Sequence, residues 1–343
     1  MPNHSIAFPP RVSLAQLPTP MHRLDRISRR MGVEIFIKRD DLTGMELSGN
    51  KIRKLEFVLA RAREKGCDTV ITCGGAQSNH ARATAVAAAR LGLKSLLFLR
   101  TDDPQNPPPV SGNILLDRMV GAQIEWITPD AYRDRDSLMA EAADSLMGRN
   151  QNAYVIPEGA SDAVGAWGYV HAFEELARDI AALGPGKNDS TTIIHATGSG
   201  GTCAGLLIGA ALLDSDHRVA TVNVCDDRDY FTEVIGGICN RFFEHYPEQP
   251  PENLMDRLEI VDGYVGRGYG LSRPEELELI CRIAREEGIF PDPVYTGKAF
   301  YGMMQELEKD PRRFGERIVF IHTGGLFGLF PKQEEIAAVL SRI

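Results

Sequence analysis

Apolar residues along this chain fall into two rhythms: short runs that suit buried strands, and longer stretches apolar at every third or fourth position. Residues 33–37 form a strand by this reading, ending in the polar turn Arg39-Asp40-Asp41. From Asn50 the period lengthens, with Ile52, Leu55, Leu59 and Ala62 on one helical face and Gly66 as the stop. Residues 69–72 predict a buried strand that runs into Gly74-Gly75-Ala76-Gln77-Ser78-Asn79-His80, then an alanine-rich helix up to Gly92 and a strand over 95–99. The pairs 114–122 with 124–127, and 137–147 with 154–156, repeat the theme. A second series opens with a strand at 192–195 and a glycine-rich loop. It continues through 222–224 and a helix over Pro274–Glu287 to a strand at 318–321. Residues 103–109 and 183–189 read as surface loops, and the tail beyond Pro331 as one amphipathic helix.

Regular alternation of strand and helix predicts an α/β fold with open, mainly parallel sheets covered by helices. A chain of 343 residues is long enough for two cores. The units between 55 and 159 suffice for a small domain inserted in a large one made of 1–54 and 160–343.

Composition narrows the partners. The net charge of −9 and the lack of a basic run argue against nucleic acid and acidic membrane surfaces, leaving small molecules. Six cysteines are scattered without CxxC or metal-finger spacing, which predicts reduced, buried thiols and no metal site. The first residues, Met1-Pro2-Asn3-His4-Ser5, lack a leader pattern, and no apolar run nears the roughly 18 residues of a membrane span. A cytoplasmic location is the expectation.

Two segments carry the chemistry. Ser48-Gly49-Asn50-Lys51-Ile52-Arg53-Lys54 sets an amine at a helix start. Most such lysines are solvated surface charges, but here Gly49 leaves room for a flat ring and Asn50 is placed to cap the helix or reach a ligand. Lys54 stands one turn on, and crowding of two ammonium groups favours a neutral amine or a phosphate between them. The second segment, Thr197-Gly198-Ser199-Gly200-Gly201-Thr202, lacks the spacing of GxGxxG and the GK[ST] of a P-loop. What it offers is amides and hydroxyls for one monophosphate at a helix N-terminus. An amine plus a monophosphate cradle is what pyridoxal 5′-phosphate requires. Gln77-Ser78-Asn79-His80 sits at a strand end, where it either caps a helix or binds a carboxylate. Tyr264, Tyr269 and Tyr295 lie beside glycine or proline, and Thr323 follows another strand. His195 is read as a core histidine.

With these residues in place the chain resembles the D-cysteine desulfhydrase and 1-aminocyclopropane-1-carboxylate deaminase family, pyridoxal-phosphate enzymes of the tryptophan-synthase-β fold type. The resemblance rests on segments 38–57, 73–85, 196–205, 294–303 and 320–325. It implies Lys51 as the Schiff-base lysine, with Asn50 and Asn79 beside the cofactor. Thr197, Gly198, Ser199, Gly200, Gly201 and Thr202 would hold the phosphate, helped by Lys54. Ser78, Asn79, His80 and Tyr295 would bind the substrate, with Ser78, Tyr269 and Tyr295 serving catalysis beside Lys51. Tyr264 fits the motif less well.

Deaminases of this family carry a Glu and a Leu where this chain has Thr296 and Thr323. A carboxylate at the pyridine nitrogen makes the strong electron sink that ring opening demands. A hydroxyl suffices for expelling a good leaving group from Cβ. The resemblance therefore implies α,β-elimination, with D-cysteine going to pyruvate, ammonia and hydrogen sulfide. L-cysteate, losing sulfite, stands second, and aminocyclopropane-carboxylate deamination third. A pyridoxal-phosphate carrier or sensor is the non-enzyme alternative. The family also implies a homodimer.

Overall fold

The computed structural model describes residues 6–184, 190–246 and 251–342. The residues read for a leader, 1–5, and most of the loop expected over 183–189 lie outside that range. Among the described residues ten strands are formed: β1 (Met21–Arg23), β2 (Glu34–Lys38), β3 (Thr69–Gly75), β4 (Lys94–Arg100), β5 (Gln123–Ile127), β6 (Ala153–Val155), β7 (Thr192–Thr197), β8 (Arg218–Asn223), β9 (Leu258–Val261) and β10 (Arg317–Ile321). The helices are α1 (Asp25–Met31), α2 (Lys51–Glu64), α3 (Asn79–Arg90), α4 (Gly112–Met119), α5 (Arg135–Met147), α6 (Ala163–Ala182), α7 (Gly201–Leu212), α8 (Arg228–His245), α9 (Pro274–Glu287), α10 (Thr296–Lys309) and α11 (Gln333–Leu340).

Two sheets result, as the alternation predicts. The larger runs β1-β2-β10-β7-β8-β9, the smaller β5-β4-β3-β6. Every pairing is parallel except β1 with β2. Both faces of the large sheet are covered, so its inner strands β7 and β10 are buried along almost their whole length. The period-two pleat still sorts them. Ile193, Val219, Val319 and Ile321 pack with α6, α7 and α8. Ile194, Ala220, Ile318 and Phe320 pack with α9 and α10 on the other side. In the small sheet Ile71, Cys73, Leu96 and Phe98 face α5, while Leu97 and Leu99 meet α3.

Parallel strands carry their helix starts at one end, so β2, β7 and β10 all finish at one edge of the large sheet. Such an edge, beyond the carboxyl ends of the strands, is where open sheets bind ligands. Among the described residues no helix is long and apolar enough to cross a membrane.

Candidate functional site

The turn into α2 is built by a close backbone crossing. Gly49 has φ +114, and a Cβ there would stand 2.8 Å from the Thr323 carbonyl oxygen. Opposite it, Gly324 has φ +87, and its Cβ would meet Gly49 Cα at 2.6 Å. Only glycine tolerates both the conformation and the approach. The Asn50 amide donates to Thr323 O (3.1 Å), fixing the start of α2 to the end of β10. Asn50 makes no side-chain cap; its Nδ2 donates instead to Thr202 Oγ1 at 2.9 Å, in the first turn of α7. The cap expected of this residue is therefore not formed, and the bond to Thr202 ties α2 to α7 instead.

One cavity lies at the ends of β7 and β10. Its lining includes Asn50 and Lys51 from α2, Asn79 from α3, Thr197, Gly198, Ser199, Gly200 and Thr202 from β7 and α7, Tyr295, and Thr323 with Gly324. Gly200 is left-handed (φ +77) and turns the chain so that α7 begins at Gly201. The Gly201 amide donates to Ser199 O (3.0 Å), and the remaining first-turn amides of α7 have no partners within the helix, an arrangement suited to an anion. A Cβ on Gly201 would meet Ser161 Oγ at 2.6 Å, so this cradle needs a glycine.

Around Lys51 the sequence reading missed a wall. The segment 157–161 joins β6 to α6, and Gly159 and Ala160 are both left-handed (φ +70 and +48). A Cβ on Gly159 would collide with Ser199 Oγ and come within 3.1 Å of both Lys51 Nζ and Ser161 Oγ. Ser161 donates to Ser199 Oγ (2.9 Å) and accepts from Lys54 Nζ (3.2 Å). A strand end followed by Pro-Glu-Gly-Ala-Ser carries the same signal as the 197–202 loop, and it could have been found that way.

Burial lowers the Lys51 amine to about 8, although Glu158 and a hydrogen bond with Lys54 pull it back up. Lys54 falls well below its ordinary value, first through burial and then through the Lys51 charge. Burial is thus the main cause of both shifts, and crowding adds to it only at Lys54.

Tyr269 and Tyr295 meet hydroxyl to hydroxyl at 2.7 Å, their rings edge-on with centroids 5.9 Å apart. Glycines admit both rings: a Cβ on Gly198 would touch Tyr295 Cε1 at 3.0 Å, and one on Gly75 would touch Tyr269 Cε1 at 3.3 Å. Burial pushes Tyr269 up to about 12, and Tyr295 well above its ordinary value. Both stay protonated near neutral pH, so they donate hydrogen bonds rather than take up protons. Tyr264 lies elsewhere, donating to Glu306 Oε1 at 2.5 Å.

At the start of α3, Ser78 is a helix cap whose Oγ accepts from the Ala81 amide at 3.1 Å, and it is buried against Gly74. Asn79 Oδ1 accepts from Asn113 Nδ2 (2.9 Å), which leaves its own Nδ2 as a donor toward the cavity. The His80 side chain does not line the cavity. It is buried, 2.8 Å from Thr72 Oγ1, and held well below its ordinary pKa by burial and by Lys51. Only its backbone amide, free in the first helical turn, is available for an anion.

Thr296 and Thr323 separate. Thr323 lines the cavity. Thr296 does not: it is fully buried, and its hydroxyl donates to Asp292 Oδ1 at 2.7 Å. Asp292 also accepts from the amides of Val294, Tyr295 and Thr296, closing the turn ahead of α10, and this engages the Thr296 hydroxyl. No residue lining the cavity is an Asp or a Glu.

Comparison with known proteins agrees with this chemistry. Residues 12–324 match the family model described as pyridoxal-phosphate dependent enzyme. The chain is 41% identical to the bifunctional D-cysteine desulfhydrase/1-aminocyclopropane-1-carboxylate deaminase, mitochondrial, of Arabidopsis thaliana, over 99% of this chain and 82% of that one. It is 41% identical to a putative 1-aminocyclopropane-1-carboxylate deaminase of Thermotoga maritima, over 95% and 99%. A solved structure titled as an ACC deaminase homologue superposes with a TM-score of 0.84, at 37% identity and 96% coverage of both chains.

Proposed function

Because this chain belongs to the pyridoxal-phosphate-dependent enzymes of fold type II, in the group of aminocyclopropane-carboxylate deaminases and D-cysteine desulfhydrases, we propose that it catalyses α,β-elimination on a small amino acid. D-cysteine ranks first; with one water it gives pyruvate, ammonia and hydrogen sulfide. L-cysteate, with sulfite as leaving group, ranks second, and ring opening of aminocyclopropane-carboxylate third.

The cradle suits the cofactor. The α7 amides with the Ser199 and Thr202 hydroxyls would hold its phosphate, Lys51 its aldehyde carbon, and Asn79 and Thr323 the ring edge. When bound, the cofactor supplies an electron sink for the pair left at the substrate Cα.

The chain's own residues do the rest. Lys51, deprotonated near pH 8, is the base suited to the Cα proton. The Asn79 side chain and the free amides at the start of α3 bind the substrate carboxylate, with Ser78 holding that turn in shape. The Tyr269–Tyr295 pair keeps its protons and donates toward the departing Cβ substituent. One observation favours elimination over ring opening: the cavity lining contains no carboxylate to keep a pyridine nitrogen protonated. The same reading carries a small domain over 55–159 within a large one of 1–54 and 160–343, and a cytoplasmic homodimer, which light scattering would register at twice the chain's mass.

The test is direct. Lys51→Ala should lose the visible absorption of bound cofactor and nearly all turnover, and borohydride trapping of wild type should label Lys51. A yellow, active variant would overturn the assignment. A panel of D- and L-amino acids, scored for keto acid, sulfide and sulfite, ranks the substrates; 2-ketobutyrate from aminocyclopropane-carboxylate as the main product would put ring opening ahead of elimination.

A further inference from the structure

The two tyrosines come from segments with little in common. Tyr295 precedes the first turn of α10, whereas Tyr269 lies in an irregular stretch with four left-handed glycines: Gly263 (φ +93), Gly266 (+68), Gly268 (+117) and Gly270 (+72). Backbone bonds within that stretch are few and long, Gly268 N to Val265 O at 3.4 Å and Leu271 N to Gly268 O at 3.2 Å. A glycine-rich segment so weakly tied gains much conformational freedom unless something outside holds it.

Lys298 provides that hold. It stands three residues after Tyr295 and is fully buried. Its Nζ donates to Val265 O and Gly268 O, both at 2.7 Å. The second of these carbonyls belongs to the residue directly before Tyr269. Among the described residues no carboxylate forms an ion pair with this ammonium. Glu276 and Asp292 favour its charge from a distance without pairing with it, so the two carbonyls are the groups that contact the buried ammonium, and they do so only while the loop stays where it is. A second tie, Ser272 Oγ to Pro293 O at 3.1 Å, links the same two segments.

We propose that Lys298 is a positioning residue, an internal cation that clamps the 263–271 loop to the start of α10 and thereby brings the Tyr269 hydroxyl onto that of Tyr295. It acts through Tyr269 and touches no reacting atom. The inference rests on the reading above, in which the tyrosine pair serves the reaction.

A double-mutant cycle on the holoenzyme tests it, with D-cysteine and L-cysteate as substrates. Lys298→Met should lower kcat about thirtyfold with KM changed less than about threefold. In a Tyr269→Phe background the same change should cost less than about threefold, because the clamp then has nothing left to place. Amide exchange over 263–271 should quicken by about tenfold or more in Lys298→Met, with the rest of the protein unaltered. Should Lys298→Met not fold, Lys298→Gln, which keeps a donor without the charge, carries the same cycle. Losses that multiply, or unchanged exchange in the loop, would overturn the clamp alone. Full activity of Tyr269→Phe would remove the tyrosine reading, and the clamp's purpose with it.

Discussion

Lys51 is an ordinary residue type made unusual by its surroundings. Ser199, Ser161 and the bare backbone of Gly159 close around it, and burial brings its amine to about 8. The sign of the resulting pH dependence follows from chemistry. Only the deprotonated amine attacks an aldehyde, so capture of pyridoxal phosphate by the stripped protein should rise about tenfold per pH unit below 8 and level off above it. Stopped-flow absorbance from pH 6 to 10 reads this directly. A rate still climbing between 9 and 10 would mean an amine with the usual lysine value and an open surface position. The Thr296–Thr323 pair shows what residue identity alone conceals. Both positions carry hydroxyls, but the bond to Asp292 holds one of them outside the cavity lining.

Elements explain why some of these residues were legible and others were not. Strands β3, β4, β7 and β10 announce themselves as short apolar runs, and α9 runs over the predicted residues, Pro274–Glu287. The sequence reading leaves α6, α8 and α10 unassigned. Helix α6 is the instructive case, for it is buried on several sides and therefore lacks a clean polar face. Its Gly165 and Gly168 also look like helix breakers. They serve packing: a Cβ on Gly168 would lie 2.5 Å from the Arg53 carbonyl group, so α6 rests directly on the backbone of α2. Gly205 of α7 plays the same part against α6, where a Cβ would stand 2.5 Å from Tyr169 Cβ and from Ala166 O. Gly205→Ala should therefore destabilise by about 1–3 kcal/mol through overpacking, despite its better helix propensity. Chemical denaturation measures it, and a stabilised variant would show that the two helices separate freely. The site follows the same division. The glycine-rich 197–202 loop and Lys51 were legible because each is a local signal at an element boundary. Gly159 and Ser161 carry a local signal of the same kind, which the reading passed over; Lys298 carries none, since its meaning arises only where distant segments converge.

Over the whole molecule, those segments are held by an ionic cluster behind the cofactor cradle. Lys38 of β2 pairs with Glu175 and Asp179 of α6, both at 2.5 Å. Arg53 of α2 bridges Asp40 (2.7 Å) and Glu175 (3.0 Å). Thr19 from the N-terminal segment and Tyr169 from α6 both donate to Asp40, at 2.9 and 2.5 Å. The cluster joins the segment before β1, the turn after β2, α2 and α6, and it fixes the helix that presents Lys51. Burial pushes the Glu175 carboxyl up, but the hydrogen bond and charge of Arg53, with Lys38, outweigh it and bring the value down to about 2. A carboxylate depressed in the folded state contributes stability that is complete above its unfolded pKa near 4.5 and lost as pH falls toward 2. Glu175→Gln removes that contribution and leaves Arg53 and Lys38 short of a partner, so at pH 7 it should cost about 3–5 kcal/mol. The gap between variant and wild type should then narrow as pH drops from 4.5 toward 2, because protonation imposes on the wild type the loss already built into the variant. Urea unfolding at pH 7, 4 and 3 gives the comparison. Parallel stability curves would mean that Glu175 titrates alike in the folded and unfolded chain, and the cluster would then be a consequence of the architecture rather than one of its supports.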